Sequence, residues 1–188
     1  LVWRHRLAQL RLVRADARDG LEAGRPASET TWSLLETLKG PVDGAGSRWL
    51  DLEWRKAHGL LLACAPASDP VDQEALGAWG EALALARSLQ FPSDLMEAAT
   101  ESARILLRRG ERLGAQSRLQ DAFPAFQQVW SRVSESQSQA FLGRPDLHRF
   151  QETVTASGLR FVLPDRGDPL ADWTPTQANL PAVNFPER

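Results

Sequence analysis

Three histidines, one cysteine and scattered carboxylates are the side chains with which this 188-residue chain could do acid–base, nucleophilic or metal chemistry. His5, His58 and His148 lie far apart, and none has a carboxylate at metal-ligand spacing, so each is expected to be a partly exposed helix residue rather than a ligand. Cys64 follows His58 by six positions on one expected helix. Side chains three or four apart share a helix face, so that spacing does not make a thiol–imidazole dyad. Cys64 sits in "LLLACAP" and is expected to be a buried structural thiol. One cysteine excludes an internal disulfide framework and a cysteine metal cluster. HExxH, a phosphate-cradling glycine loop and a G-x-S-x-G elbow are all missing from the sequence. No catalytic, metal or cofactor-binding residue is therefore assigned, and a non-enzymatic role is expected.

Two features are better suited to binding. "RRGER" gathers Arg108, Arg109 and Arg112 at an expected helix end. Cations there complement the helix dipole, and this role is favoured over capture of an anion. Trp173 is the second feature, because it stands in a proline-spaced segment with no helical period to bury it. These four residues are the candidate partner-binding positions. Arg166-Gly167-Asp168 spells an integrin-type tripeptide, which chance explains better.

The composition is ordinary for a folded protein, with 43% hydrophobic and 24% charged residues. A net charge of −2 gives no electrostatic reason to seek nucleic acid. Lys39 and Lys56 are the only lysines, and the excess of arginine and alanine fits GC-rich bacterial coding. No stretch is long and apolar enough to span a bilayer, and "LVWRHRLAQLRLV" lacks the apolar core of a signal peptide. A cytoplasmic location is expected. Beginning at Leu1 rather than Met, the chain is expected to be a fragment or a processed form.

The elements that would position these residues are helices. Trp3, Leu7, Leu10 and Val13 place a first helix over residues 2–18. Ser28 is a suitable N-cap for a second, through Leu38, and "KGPVDGAGS" (39–47) is expected to be a loop. A third runs over 48–64, with Glu53, Arg55 and Lys56 on its polar side, and Asp69-Pro70 opens a fourth to Leu89. A fifth covers 93–109. The sixth is expected over 117–134, with a late start or kink because Pro124 removes a hydrogen bond. Pro145 opens a seventh to Ala156, "LRFVLP" could be a short strand, and the remainder is extended. The stripe places Leu83, Leu106 and Phe126 between helices, and most of the tryptophans in the core. Residues 1–158 thus form a helical domain and 159–188 an extended, apolar tail expected to dock on the helices or on a partner, with Trp173 as its anchor.

Glu81-Ala82 and Asp121-Ala122 recur 40 residues apart, and Ala86 and Leu89 then correspond to Phe126 and Val129. Recurrence near this length marks stacked helix pairs. Over about 48–133, with 2–39 as a weaker preceding pair, the chain resembles a tetratricopeptide-like α-solenoid. Its units are longer than the usual ~34 residues, and the consensus Trp-Leu-Gly-Tyr set is missing. "AFLGRPDLHRF" (140–150) resembles the closing stretch of such arms in large bacterial signalling proteins, where they follow kinase, ATPase or caspase-like domains. The resemblance implies an all-α fold of antiparallel helix pairs. It also implies a protein-binding or scaffolding function that regulates a domain of the same polypeptide or recruits another chain. The alternative is the helical part of a bacterial protease or kinase assembly whose catalytic residues lie elsewhere.

Overall fold

The computed structural model describes residues 2–163, and Trp173 with the rest of the tail from Pro164 lies outside them. Among the described residues the chain is all helical: α1 (Val2–Glu22), α2 (Glu29–Ala45), α3 (Arg48–Cys64), α4 (Asp69–Leu89), α5 (Pro92–Arg108), α6 (Arg112–Trp130), a 3-10 turn (Glu135–Gln137), α7 (Ser138–Leu142) and α8 (Pro145–Ala156). Consecutive helices from α1 to α6 pack on one another, α3 also packs on α1, and α8 returns to α5.

The local signals act where the sequence puts them. The Ser28 hydroxyl accepts a hydrogen bond from the Thr31 N–H at 3.1 Å and so caps α2. Prolines open α4, α5 and α8 within the first two positions, where a missing N–H costs nothing. Leu83, Leu106 and Phe126 are all buried, as are Trp54, Trp79 and Trp130. The recurrent positions also match in burial, with Ala82, Ala86, Ala122 and Phe126 all inaccessible. Glycine sets the α3–α4 spacing: a Cβ on Gly59 would lie 2.7 Å from the indole of Trp79.

Four expectations need correction. Residues 39–45 continue α2 rather than forming a loop. Pro41 does forfeit one hydrogen bond. However, the buried stripe Leu35, Leu38 and Val42 runs on past it, and Gly46, left-handed at φ 59°, ends the helix instead. Helix α6 starts at Arg112, earlier than expected, because Ala115, Leu119, Ala122 and Phe126 form one continuous buried face. "LRFVLP" is not a strand, since residues 159–163 adopt no regular structure. Finally, Glu53 and Lys56 are buried rather than exposed, for reasons that lie in the neighbouring helices.

Candidate functional site

Two regions of α5 gather polar or accessible groups. Along one flank, α5 meets α1, α3 and α8 through charges. The Lys56 ammonium, 2% exposed, reaches Glu97 at 2.6 Å and also contacts Asp94 and Glu53. Arg14 from α1 donates to both Glu97 oxygens at 2.7 and 3.0 Å and pairs with Glu53, and Arg18 pairs with Glu97. Burial by itself would raise the pKa of Glu97, but Arg14, Lys56 and Arg18 outweigh it and hold the carboxyl down at about 2. Burial likewise opposes the charge on Arg14, yet Glu97 and Glu53 more than compensate and raise its pKa. Three cations thus meet three carboxylates, which is how buried charge is tolerated at all. Further along, Arg149 of α8 bridges Glu101 of α5 at 3.6 Å and Glu22 of α1 at 2.8 Å. The flank is an ionic seam joining α1, α3, α5 and α8, and a smaller cleft of about 260 Å³ opens beside it at Arg14, Asp94, Glu97 and Arg144.

The other flank of α5, also at its N-terminal end, is apolar and open. There a cleft of about 500 Å³ runs between the α4–α5 turn and α6, lined by Phe91, Pro92, Leu95, Pro124 and Ala125 with a rim of Arg87, Asp121 and glutamines. Three local features build it. Gln90 caps α4 in the left-handed region at φ 57°, and among the described residues it is the one non-glycine with positive φ. Such strain recurs at binding sites. Phe91 follows as the N-cap of α5, makes no side-chain capping bond, and stays 37% exposed. Pro124, inside α6, removes the N–H that would otherwise satisfy the carbonyl of Gln120, itself a lining residue. Chemically, the cleft offers an apolar floor, an aromatic anchor and amide donors and acceptors around the rim.

The sequence candidates fall elsewhere. Arg108 pairs with Asp72 and donates to the Ala63 carbonyl at 3.3 Å, in the last turn of α3. Arg112 donates to the Ser157 carbonyl at the end of α8 at 2.9 Å, beside Gln116 at 2.8 Å. Arg109 pairs with Glu111 at 2.6 Å. The three arginines therefore diverge, and two of them serve the negative ends of helices other than their own. Trp173 lies outside the described residues.

The candidates for chemistry stay apart. The Cys64 thiol donates to the Ala17 carbonyl at 2.9 Å, and burial raises its pKa to about 11. His58 lies 5.0 Å from the ring of Trp54 and 6.1 Å from that of Trp32. Burial lowers its pKa, against a partial pull from Glu74. His5 and His148 are exposed. Among the described residues no group of three or more histidine, cysteine or acidic side chains could hold a metal ion, and no helix is long and apolar enough to cross a membrane.

No protein-family model, curated protein or solved structure matches the chain. Phe91, Pro92 and Leu95 escaped the sequence reading because "FPSD" signals only a break, and Pro124 signals only a kink. What joins them is tertiary.

Proposed function

We propose that the chain is a protein-binding or scaffolding module, built as tetratricopeptide-like stacked antiparallel helix pairs of the kind found in bacterial signalling proteins. It acts by holding a partner chain or a domain of its own polypeptide. The observation that carries this reading is the cleft at Phe91: it is open, apolar and aromatic at its floor, with the Arg87–Asp121 pair and the glutamines confined to its rim. Three further features support it. The small and large residues of the recurrent unit are buried at equivalent places, Ala82 with Ala122 and Ala86 with Phe126. The acidic residues of that unit each pair with an arginine of an earlier helix, Glu81 with Arg55 and Asp121 with Arg87 at 3.4 Å. The groups best suited to catalysis, Cys64 and His58, are committed to packing.

The ligand class is an extended peptide with an apolar or aromatic residue for the Phe91 floor and backbone groups for the glutamine rim. A display library of random peptides panned on the full chain tests it. Recovered peptides should lose at least about tenfold in affinity on Phe91→Ser, the size of loss expected of an aromatic anchor. Failure to recover binders, or binders indifferent to both Phe91→Ser and Leu95→Ser, would remove the cleft as the binding surface.

A further inference from the structure

Helix α1 carries its charges in the wrong order for its own dipole. Arg4, His5 and Arg6 stand near its start and Asp19 and Glu22 at its end, with no acidic residue in the first turn and no basic one in the last. A helix dipole favours the reverse, anions at the start and cations at the end. Arg14 and Arg18 do not correct the outward face, because both turn inward to Glu97. Asp16 takes the Thr31 hydroxyl, and Glu22 pairs with Arg149. Arg4 lies over the Trp3 ring, and among the described residues neither Arg4 nor Asp19 forms an ion pair.

These two charges border an open strip. Leu7, Leu10, Val13 and Ala17 are the buried side of α1. The 3.6-residue repeat therefore turns Ala8, Leu12, Ala15 and Asp19 outward, where all four are exposed, Leu12 by 64%. Alanines at 8 and 15 are short enough to let a second helix approach closely around the larger Leu12. Arg11 falls at the edge of the strip, where its long side chain extends into solvent.

Reversing the strip reproduces it. Ala8 and Ala15 stand four and three residues from Leu12, Arg4 eight, and His5 and Asp19 seven each. Two α1 helices laid antiparallel about an axis at Leu12 thus set Ala8 against Ala15 of the second copy. Asp19 then falls between Arg4 and His5 of the second copy. Each acidic end comes beside a basic start, which offsets the dipole mismatch in both helices at once. The same patch serves both partners, as a contact closed by two-fold symmetry requires. A parallel pair would instead set Arg4 against Arg4 and Asp19 against Asp19.

We propose that the outward face of α1, Ala8, Leu12 and Ala15 with Arg4 and Asp19 at its ends, is a self-association surface that joins two copies of the chain antiparallel. One helix face buries little area, so the pair is weak and reversible. The surface is separate from the Phe91 cleft, which is lined from α4, α5 and α6.

Sedimentation equilibrium of the full chain over a wide concentration range should show monomer and dimer in exchange. Leu12→Lys places two like charges at the axis on an exposed site, and should weaken the dimer at least about tenfold while leaving the fold intact. Asp19→Arg should weaken it as well. Adding Arg4→Asp to Asp19→Arg should restore much of that loss, because the charges are then exchanged rather than unbalanced. A chain that stays monomeric throughout overturns the proposal. So does a dimer indifferent to Leu12→Lys, or one lost on Phe91→Ser instead, since the contact then lies elsewhere. Orientation is read by cross-linking in a Cys64→Ala background. Chains bearing Ala8→Cys mixed with chains bearing Ala15→Cys should form disulfide-linked pairs faster than either variant alone. Ala8→Cys chains that link to one another as fast as to the mixture would show a parallel pair and overturn the antiparallel arrangement.

Discussion

Phe91 and Asp94 stand three residues apart at the start of α5, and their surroundings could hardly differ more. Asp94 takes part in the seam of Lys56, Glu97, Arg14 and Glu53, where each charge has an opposite charge from another helix. Phe91 opens onto solvent with an uncapped helix start beside it and, opposite, a helix that lacks one backbone donor at Pro124. One flank uses polar groups to fix how α1, α3 and α5 sit together. The other leaves polar groups available at the rim of an apolar cleft. What separates the two flanks is charge pairing between distant helices on one side and an apolar lining on the other.

If the seam is structural, breaking it should cost stability on the scale of a buried ion pair. Lys56→Met keeps the volume and removes the ammonium, leaving Asp94, Glu97 and Glu53 to Arg14 and Arg18 alone. The expected loss in urea unfolding is about 3–5 kcal/mol, as large as the about 2–5 kcal/mol expected of the core truncation Leu106→Ala. A loss under about 1 kcal/mol would show that the two arginines carry the seam without the lysine.

Acid probes the same seam more gently. Glu97 titrates at about 2 in the folded chain against an ordinary 4.5. Between those values the unfolded chain binds more protons, so stability must fall as pH falls. The contribution is complete above 4.5 and disappears on descent through about 2. At roughly 1.4 kcal/mol per unit the full contribution is about 3 kcal/mol. Glu97→Gln should be less stable at neutral pH and should flatten the pH dependence across that window in thermal or urea unfolding. An unchanged slope would place the acid sensitivity in other carboxylates.

The seam also shows where sequence reading stops. Helices α3 and α8 were legible, because Pro145 is a local signal and the apolar stripes are periodic. Ser28, Leu83, Leu106 and Phe126 were legible for the same reasons. Lys56 was not. A lysine beside Arg55 on a helix reads as a solvated face, and only α1 and α5, supplying Arg14, Asp94 and Glu97 from 38 to 42 residues away, turn that face inward. Pro41 and Pro124 misled in a related manner. Each does remove a hydrogen bond, but burial of Val42 and of Phe126 outweighs that local loss and keeps the helix going. Local signals outlined the scaffold. Both flanks of α5 are products of which helices meet.

The smallest expected change in stability gives the sharpest separation of the two flanks. Phe91→Ser removes an aromatic side chain that is only partly buried, so some apolar contact is lost. It also places at the uncapped N-cap of α5 a hydroxyl able to accept from a first-turn N–H, which is worth about 1 kcal/mol. The two effects oppose each other, and the net change in unfolding free energy should stay within about 1 kcal/mol, far below that of Lys56→Met. Peptide affinity should nonetheless fall at least about tenfold, since a partly exposed aromatic in a cleft contributes more to a bound ligand than to the fold that presents it. Lys56→Met should show the converse pattern under conditions where it remains folded, losing stability while keeping affinity. If Phe91→Ser unfolds the chain, or if Lys56→Met abolishes binding while folded, the division between a charge-paired flank and an apolar one fails, and the cleft must be counted as part of the core.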